Sequence, residues 1–261
     1  MRASAPAAGS GKLWLIITSL NEQDSIGTLV DEAFYRLPLA GAVVVDDLST
    51  DATVAHARAA GARVVVNHRR LGIGPSLVRG WEYALERGAT RLLQMDAGGS
   101  HDVVDAPGLL HALDAGADVV LGSRFIRGSA YAGGPWWRPW ASRAMGVACW
   151  GLTGARFSDW SSGYRAFSAD AARRLSRCST MATMHGWQLE VLAWAVSLGL
   201  SVAEAPITYR AGRSSMSPTV AREAVLSLSH IMHHIPPAGS VGAATGETHG
   251  ADVSTGRSGP L

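Results

Sequence analysis

Cysteine is nearly absent from this 261-residue chain. Cys149 and Cys178 form neither a zinc-ligand pattern nor a disulfide framework, so both are expected to be ordinary core residues in a reducing compartment. Lysine is rarer still, with Lys12 alone, and arginine supplies the remaining strong positive charge. The formal net charge of only +2 is spread along the chain rather than gathered in a basic stripe, which argues against a nucleic-acid partner. Long apolar runs are missing too. The longest, Leu189 to Ala203, is broken by Glu190 and two serines and falls short of an integral membrane segment. The first ten residues lack the apolar centre of a secretory signal. These absences point to the cytoplasm, with peripheral attachment to a membrane as the remaining option.

What is abundant is apolar residues in alternating helix and strand periods. At 47% hydrophobic content the chain can bury one good core. Strand patterns at 13–18, 42–46, 62–66, 91–95 and 118–121 alternate with helical ones at 24–36, 51–60, about 75–87 and 104–115, as a parallel α/β sheet requires. The rhythm then changes to a Gly/Pro/Trp-rich connection at 127–140. Beyond it come a helix to about Gly151, a short strand at 164–167, a helix at 187–198 and a strand at 201–207. Residues 1–12 read as a flexible lead, 13–217 as one domain, 218–235 as a further helix and 236–261 as a disordered tail.

The most informative stretch is Val43-Val44-Val45-Asp46-Asp47-Leu48-Ser49-Thr50-Asp51-Ala52-Thr53. An apolar strand ends at two adjacent carboxylates, and ligands of open α/β sheets bind beyond the carboxyl ends of strands. Asp47, Ser49 and Asp51 could instead form a turn and cap the next helix, which leaves the acid pair unexplained. Leu71-Gly72-Ile73-Gly74 is misplaced for a dinucleotide fingerprint, because it follows the third strand rather than the first.

Asn21-Glu22, Asp46-Asp47 with Ser49, Asp51 and Thr53, Arg70-x-Gly72-x-Gly74, Asp96 with Ser100-His101, Gly122-Ser123-Arg124-Phe125 and Ser162-Gly163-Tyr164-Arg165 occur in series. In this order the chain resembles the family 2 glycosyltransferases, and within them the dolichol- or polyprenyl-phosphate mannose synthases, from about Leu13 to Ser217. The resemblance implies a GT-A fold, an inverting reaction, a nucleotide-sugar donor of the GDP type and a divalent metal, Mg²⁺ or Mn²⁺. It also implies site residues. Asn21, Glu22, Asp46 and Asp47 would hold the base and ribose, with Gly72 and Gly74 beside the nucleotide. Asp96 would be the metal or diphosphate-side acid, and Arg124, Arg138 and Ser142 would take the acceptor's phosphate. Gln188 and Glu190 would lie near the sugar, and Asp159, Glu190 or His185 would serve if a general base were needed.

Departures from the family pattern shape the expectation further. Asp96-Ala97-Gly98 stands where the family has Asp-x-Asp, so metal affinity should be low and dependent on nucleotide. The late loop at 206–217 is short and carries Ser215 in place of a lysine, leaving Arg210 or Arg213 to face the diphosphate. With the donor-side motifs altered and the arginines retained, the sequence reading favours transfer to a soluble anionic small molecule in antibiotic-type metabolism. A low-molecular-weight thiol such as ergothioneine, used in the lincosamide pathway, is one example. Polyprenyl-phosphate mannose synthesis at a membrane surface is the first alternative, and a non-catalytic nucleotide-sugar binder the second.

Overall fold

The structure, a computed structural model, describes residues 11–211 and 218–237. Arg213 and the second half of the late loop, 212–217, therefore lie outside the described residues, as do nearly all of the two terminal segments expected to be flexible. The first half runs β1 (Leu13–Ser19), α1 (Ile26–Arg36), β2 (Leu39–Asp46), α2 (Thr53–Ala59), β3 (Arg63–Val66), α3 (Ile73–Glu86) and β4 (Arg91–Asp96). The second half runs α4 (Ala106–Asp114), β5 (Val119–Ser123), β6 (Ala130–Ala132), α5 (Arg138–Thr153), β7 (Arg165–Ser168), α6 (Ala169–Leu175), α7 (Trp187–Ser197), β8 (Val202–Pro206), β9 (Thr208–Arg210) and α8 (Pro218–His234).

Seven strands form one sheet in the order β3-β2-β1-β4-β7-β5-β8. All neighbours pair in parallel except β7, which is antiparallel to both β4 and β5. Strand alternation sorts the apolar residues into two cores. Leu13, Leu15 and Ile17 of β1 pack with α1 and α4 on one face, while Trp14 and Ile16 pack with α3 and α7 on the other. Both faces are covered, which is why the strands read as continuous apolar runs rather than as alternation. The carboxyl ends of β1, β2, β4 and β5 therefore open on one edge, where Asp46, Asp96 and Ser123-Arg124 emerge. β6 and β9 pair separately in parallel, and β9 meets the loop after β4 through the Arg210 N–H to the Ser100 carbonyl and a bridge between His101 and Tyr209.

α6 is an addition to the elements expected from the sequence; Ser168 caps it by accepting from the Ala171 N–H. Cys149 is buried as expected, whereas Cys178 is only half-buried, in the turn after α6, with its Sγ directed at the Arg174 carbonyl.

Trp81 of α3 is fully buried against Phe167 and Trp187, with ring centroids 4.7 and 5.4 Å away. Trp81→Ala should cost about 3–5 kcal/mol by the usual scale for large-to-small core changes. Chemical denaturation should show it as a lower midpoint with an unchanged slope.

Candidate active site

The two loops that follow β1 and β2 are knitted to each other. Asn21, held at a left-handed φ of 56°, accepts from the Thr50 N–H and donates its own N–H to the Ser49 hydroxyl. Glu22 N–H donates to the Thr53 hydroxyl at 2.8 Å, and Gln23 N–H to Asp51. Asp46 is buried and accepts from both the backbone and the hydroxyl of Ser49. Asp47 accepts from the Asn67 amide at 2.7 Å, the Leu71 N–H at 2.7 Å and the Gly72 N–H at 3.0 Å. Asp46 and Asp47, two of the three acids expected to hold the nucleotide, are thus engaged inside the protein, and turn formation accounts for more of this motif than the sequence reading allowed.

Gly72 and Gly74 are glycines for a reason of packing. Gly72 has φ 88°, and a Cβ there would stand 2.5 Å from the Thr183 carbonyl oxygen; one on Gly74 would meet the Trp187 ring at 2.4 Å. Gly74 N–H donates to that same carbonyl. The entry of α3 is pressed directly onto the turn before α7.

Asp96, at the tip of β4, keeps an exposed carboxylate, with 40% of its side chain open to solvent. Gly163 lies under it, so close that a Cβ would stand 3.1 Å from both carboxylate oxygens. His101 stacks between Tyr164 and Tyr209 with centroids at 5.0 and 5.7 Å, and its Nδ1 is 3.8 Å from Asp96 Oδ2. Burial lowers the His101 pKa, against the opposing charge of Asp96, so the ring is neutral at neutral pH. A Cβ on Gly98 would stand 3.4 Å from Glu22 Oε1, which places the Glu22 carboxylate beside the position where the family's second acid would project.

A metal is implied by the resemblance. Among the described residues no three His, Cys, Asp or Glu side chains converge on one ion site. An exposed carboxylate beside an unpartnered buried imidazole nitrogen does fit an ion that takes its other ligands from water and a donor's diphosphate.

On the acceptor side Arg124 is not a free fork. Its Nε and Nη2 donate to the two Asp159 oxygens at 2.6 and 2.7 Å, its N–H donates to Asp159 as well, and Nη2 also reaches the Ser161 hydroxyl. Burial works against this charge, yet Asp159, by charge and hydrogen bonding together, raises the Arg124 pKa overall. Asp159 is correspondingly spent as a counter-ion and is poorly suited to act as a base. Arg138 forms no ion pair among the described residues. It and Arg124 both act electrostatically on Tyr131, and Ser142 follows Arg138 one turn later on α5.

Glu190 and Gln188 do not face solvent. Glu190 is fully buried and accepts from the Met181 and Ala182 N–H groups. Gln188 gives its backbone carbonyl to Arg165, while its Oε1 lacks a partner. Arg165, to which the sequence assigned no role, is wholly buried, has no carboxylate partner among the described residues, and donates to the carbonyls of Trp160, Ser162 and Gln188. Burial pulls its pKa down to about 9, with Asp159 and Asp96 opposing. Its place after Ser162-Gly163-Tyr164 was the only sequence signal that could have marked it. Arg210 is tied to Asp102 at 3.2 Å at the rim.

A mostly parallel sheet carries an acid at the end of β4 and an arginine just past β5 on one edge, the arrangement of a ligand crevice in an open α/β fold. The crystal structure of glucosyl-3-phosphoglycerate synthase from Mycobacterium tuberculosis, with Mn²⁺, uridine-diphosphate-glucose and phosphoglyceric acid, superposes with a TM-score of 0.67 at 21% identity. The match covers 88% of this chain and 82% of that one, and the fold is GT-A. The chain belongs to glycosyl transferase family 2, whose pattern matches residues 14–175. It is 33% identical to the polyprenol monophosphomannose synthase of Mycolicibacterium smegmatis, across 82% of this chain and 84% of the relative. It is also 33% identical to the undecaprenyl-phosphate mannosyltransferase of Micrococcus luteus, across 82% and 91%.

Two substitutions probe the site. Asp47→Ala removes an acceptor from two backbone N–H groups and should lower stability by about 1.5–3 kcal/mol. An unchanged urea midpoint without nucleotide would mean that the carboxylate works on a ligand rather than on the turn. Gly163→Ala should displace the Asp96 carboxylate and reduce kcat about tenfold or more while nucleotide affinity and the unfolding midpoint hold. Single-turnover kinetics and calorimetry separate these outcomes.

Proposed function

We propose that this protein transfers mannose from GDP-mannose to a polyprenyl phosphate at a membrane surface, with inversion at the anomeric carbon. Both relatives above are named for mannosyl transfer of this kind, and they favour a lipid phosphate over the soluble small acceptor expected from sequence.

The observation that carries the reading is the inverted amphipathicity of α5. Its buried face is made of Gly146, Cys149 and Thr153, whereas Trp140, Val147 and Trp150 point outward at helical spacing, preceded by Trp136 and Trp137. Trp136 is 82% exposed and Trp140 62%. Arg143 shares the outward stripe and lies over the Trp140 and Phe125 rings. α8 packs beside α5 and exposes Val225, Leu226 and Met232. Tryptophans with an arginine among them, on a face open to solvent, suit the boundary between headgroups and acyl chains. Among the described residues no helix is long and apolar enough to cross a membrane, so the reading is of attachment from one side.

The acid–base inventory supports an acceptor that is already anionic. Asp159 and Glu190 are buried and saturated by N–H donors, which leaves His185 as the exposed candidate base. A phosphate monoester needs none, because its oxygen attacks as the anion and the nucleoside diphosphate departs with the bonding pair. Arg138, with Ser142, receives that phosphate, and the Arg124–Asp159 pair holds the wall behind it. A divalent cation at Asp96 would offset charge on the departing diphosphate.

Purified protein incubated with GDP-mannose, UDP-glucose, polyprenyl phosphate, phosphorylated small alcohols and small thiols should yield a polyprenyl-phosphate mannose by mass. Preference for a thiol or a soluble phosphate would overturn the acceptor assignment. Changing Trp136 and Trp140 together to Ser should reduce sedimentation with anionic vesicles about tenfold and leave GDP affinity unchanged.

A further inference from the structure

Gln188, Arg165 and His101 each keep a buried atom without a partner among the described residues, and of the three His101 stands against the exposed Asp96 carboxylate. Its ring is fixed on both sides by Tyr164 and Tyr209, and its backbone forms an isolated bridge with Tyr209. Nδ1 is buried and has no hydrogen-bond partner among the described residues. Buried polar nitrogens are almost always satisfied, so an exception at the edge of a catalytic crevice calls for a missing partner. The Asp96 carboxylate, at 3.8 Å, is too far to be that partner directly. Two ligands of one ion, each roughly 2.1 Å from it, stand about 3 to 4 Å apart.

Asp96 has lost its fellow ligand as well. Gly98 offers none, and the neighbouring Glu22 carboxylate is held by the Ser25 hydroxyl. From this we infer that His101 Nδ1 is a metal ligand, standing with Asp96 where the family's second carboxylate is absent. The cation it takes is a first-row divalent ion such as Mn²⁺ or Co²⁺ in preference to Mg²⁺, because an imidazole nitrogen replaces a hard oxygen in the ligand set. The inference rests on the assignment of Asp96 to the donor's diphosphate, whose oxygens and water complete the coordination.

The test uses the full chain with ¹⁵N-labelled histidine, saturating GDP and Mn²⁺, read by pulsed electron paramagnetic resonance and by metal titration. One histidine ¹⁵N coupling is expected in the parent protein and none in His101→Gln or His101→Phe. The phenylalanine variant keeps the ring stack, so loss of signal there is not loss of fold. In both variants Mn²⁺ affinity should fall about tenfold or more, while Mg²⁺ affinity changes little and the Mn²⁺ preference collapses. Bound Mn²⁺ without histidine coupling overturns the inference, and an ordered water then satisfies Nδ1. Coupling that persists in both variants also overturns it, because the ion then sits on another histidine, such as those of α8. GDP binding without histidine coupling sinks this inference alone, whereas a chain that binds neither GDP nor UDP sinks the donor-site reading with it.

Discussion

The loops of this molecule are held by carboxylates that collect backbone N–H groups. Loops at the carboxyl edge of a parallel sheet have no ladder to satisfy their amides, and an unsatisfied buried amide is costly. Asp47 takes two such groups from the entry of α3, and Asp159 takes one from Arg124. Glu204 takes those of Ser158 and Asp159, Glu190 those of Met181 and Ala182, and Glu223 of α8 those of Thr183, Met184 and Gly186. Charged acceptors make these bonds stronger than neutral ones. Most acids of the crevice are therefore structural, whereas Asp96 keeps an exposed carboxylate that can reach a ligand.

That division limits what the sequence could tell. The strand ends, the order of helices and strands and the family were legible, because apolar periodicity and the Asp46 to Thr53 stretch are local signals. The partners of the acids were not. Arg124 meets Asp159 across 35 residues and Asp47 meets Gly72 across 25, so a motif acid awaiting a ligand looks the same in sequence as one holding a turn. Glu190 and Gln188 read equally well as solvent-facing, although both are buried. The direction of β7 was hidden for a related reason: Arg165–Ser168 is short, and nothing local tells a parallel strand from an antiparallel one. β6 and β9, three residues each, exist only through each other.

α5 illustrates the opposite case, in which composition was visible and its meaning was not. Tryptophans in a Gly/Pro-rich connection fit a core, a sugar-stacking surface or an interface equally well. Only the identity of the residues beneath the helix decides: with a glycine, a cysteine and a threonine packed inward, the large rings are left facing out. The narrow buried face also allows α5 to sit close to α7 and α8, so the helix with outward tryptophans lies beside the one that exposes Val225, Leu226 and Met232.

The antiparallel β7 has a metric consequence. Its insertion between β4 and β5 keeps those two strands two sheet spacings apart, about 10 Å. Asp96 leaves the end of one and Arg124 follows the end of the other, while the chain entering β7 brings Gly163 up between them. The reach between the donor pole and the acceptor pole is thus ruled by hydrogen-bond spacing in the sheet. Evolution can redecorate either bank of this channel by changing side chains, but widening it would require unzipping a strand.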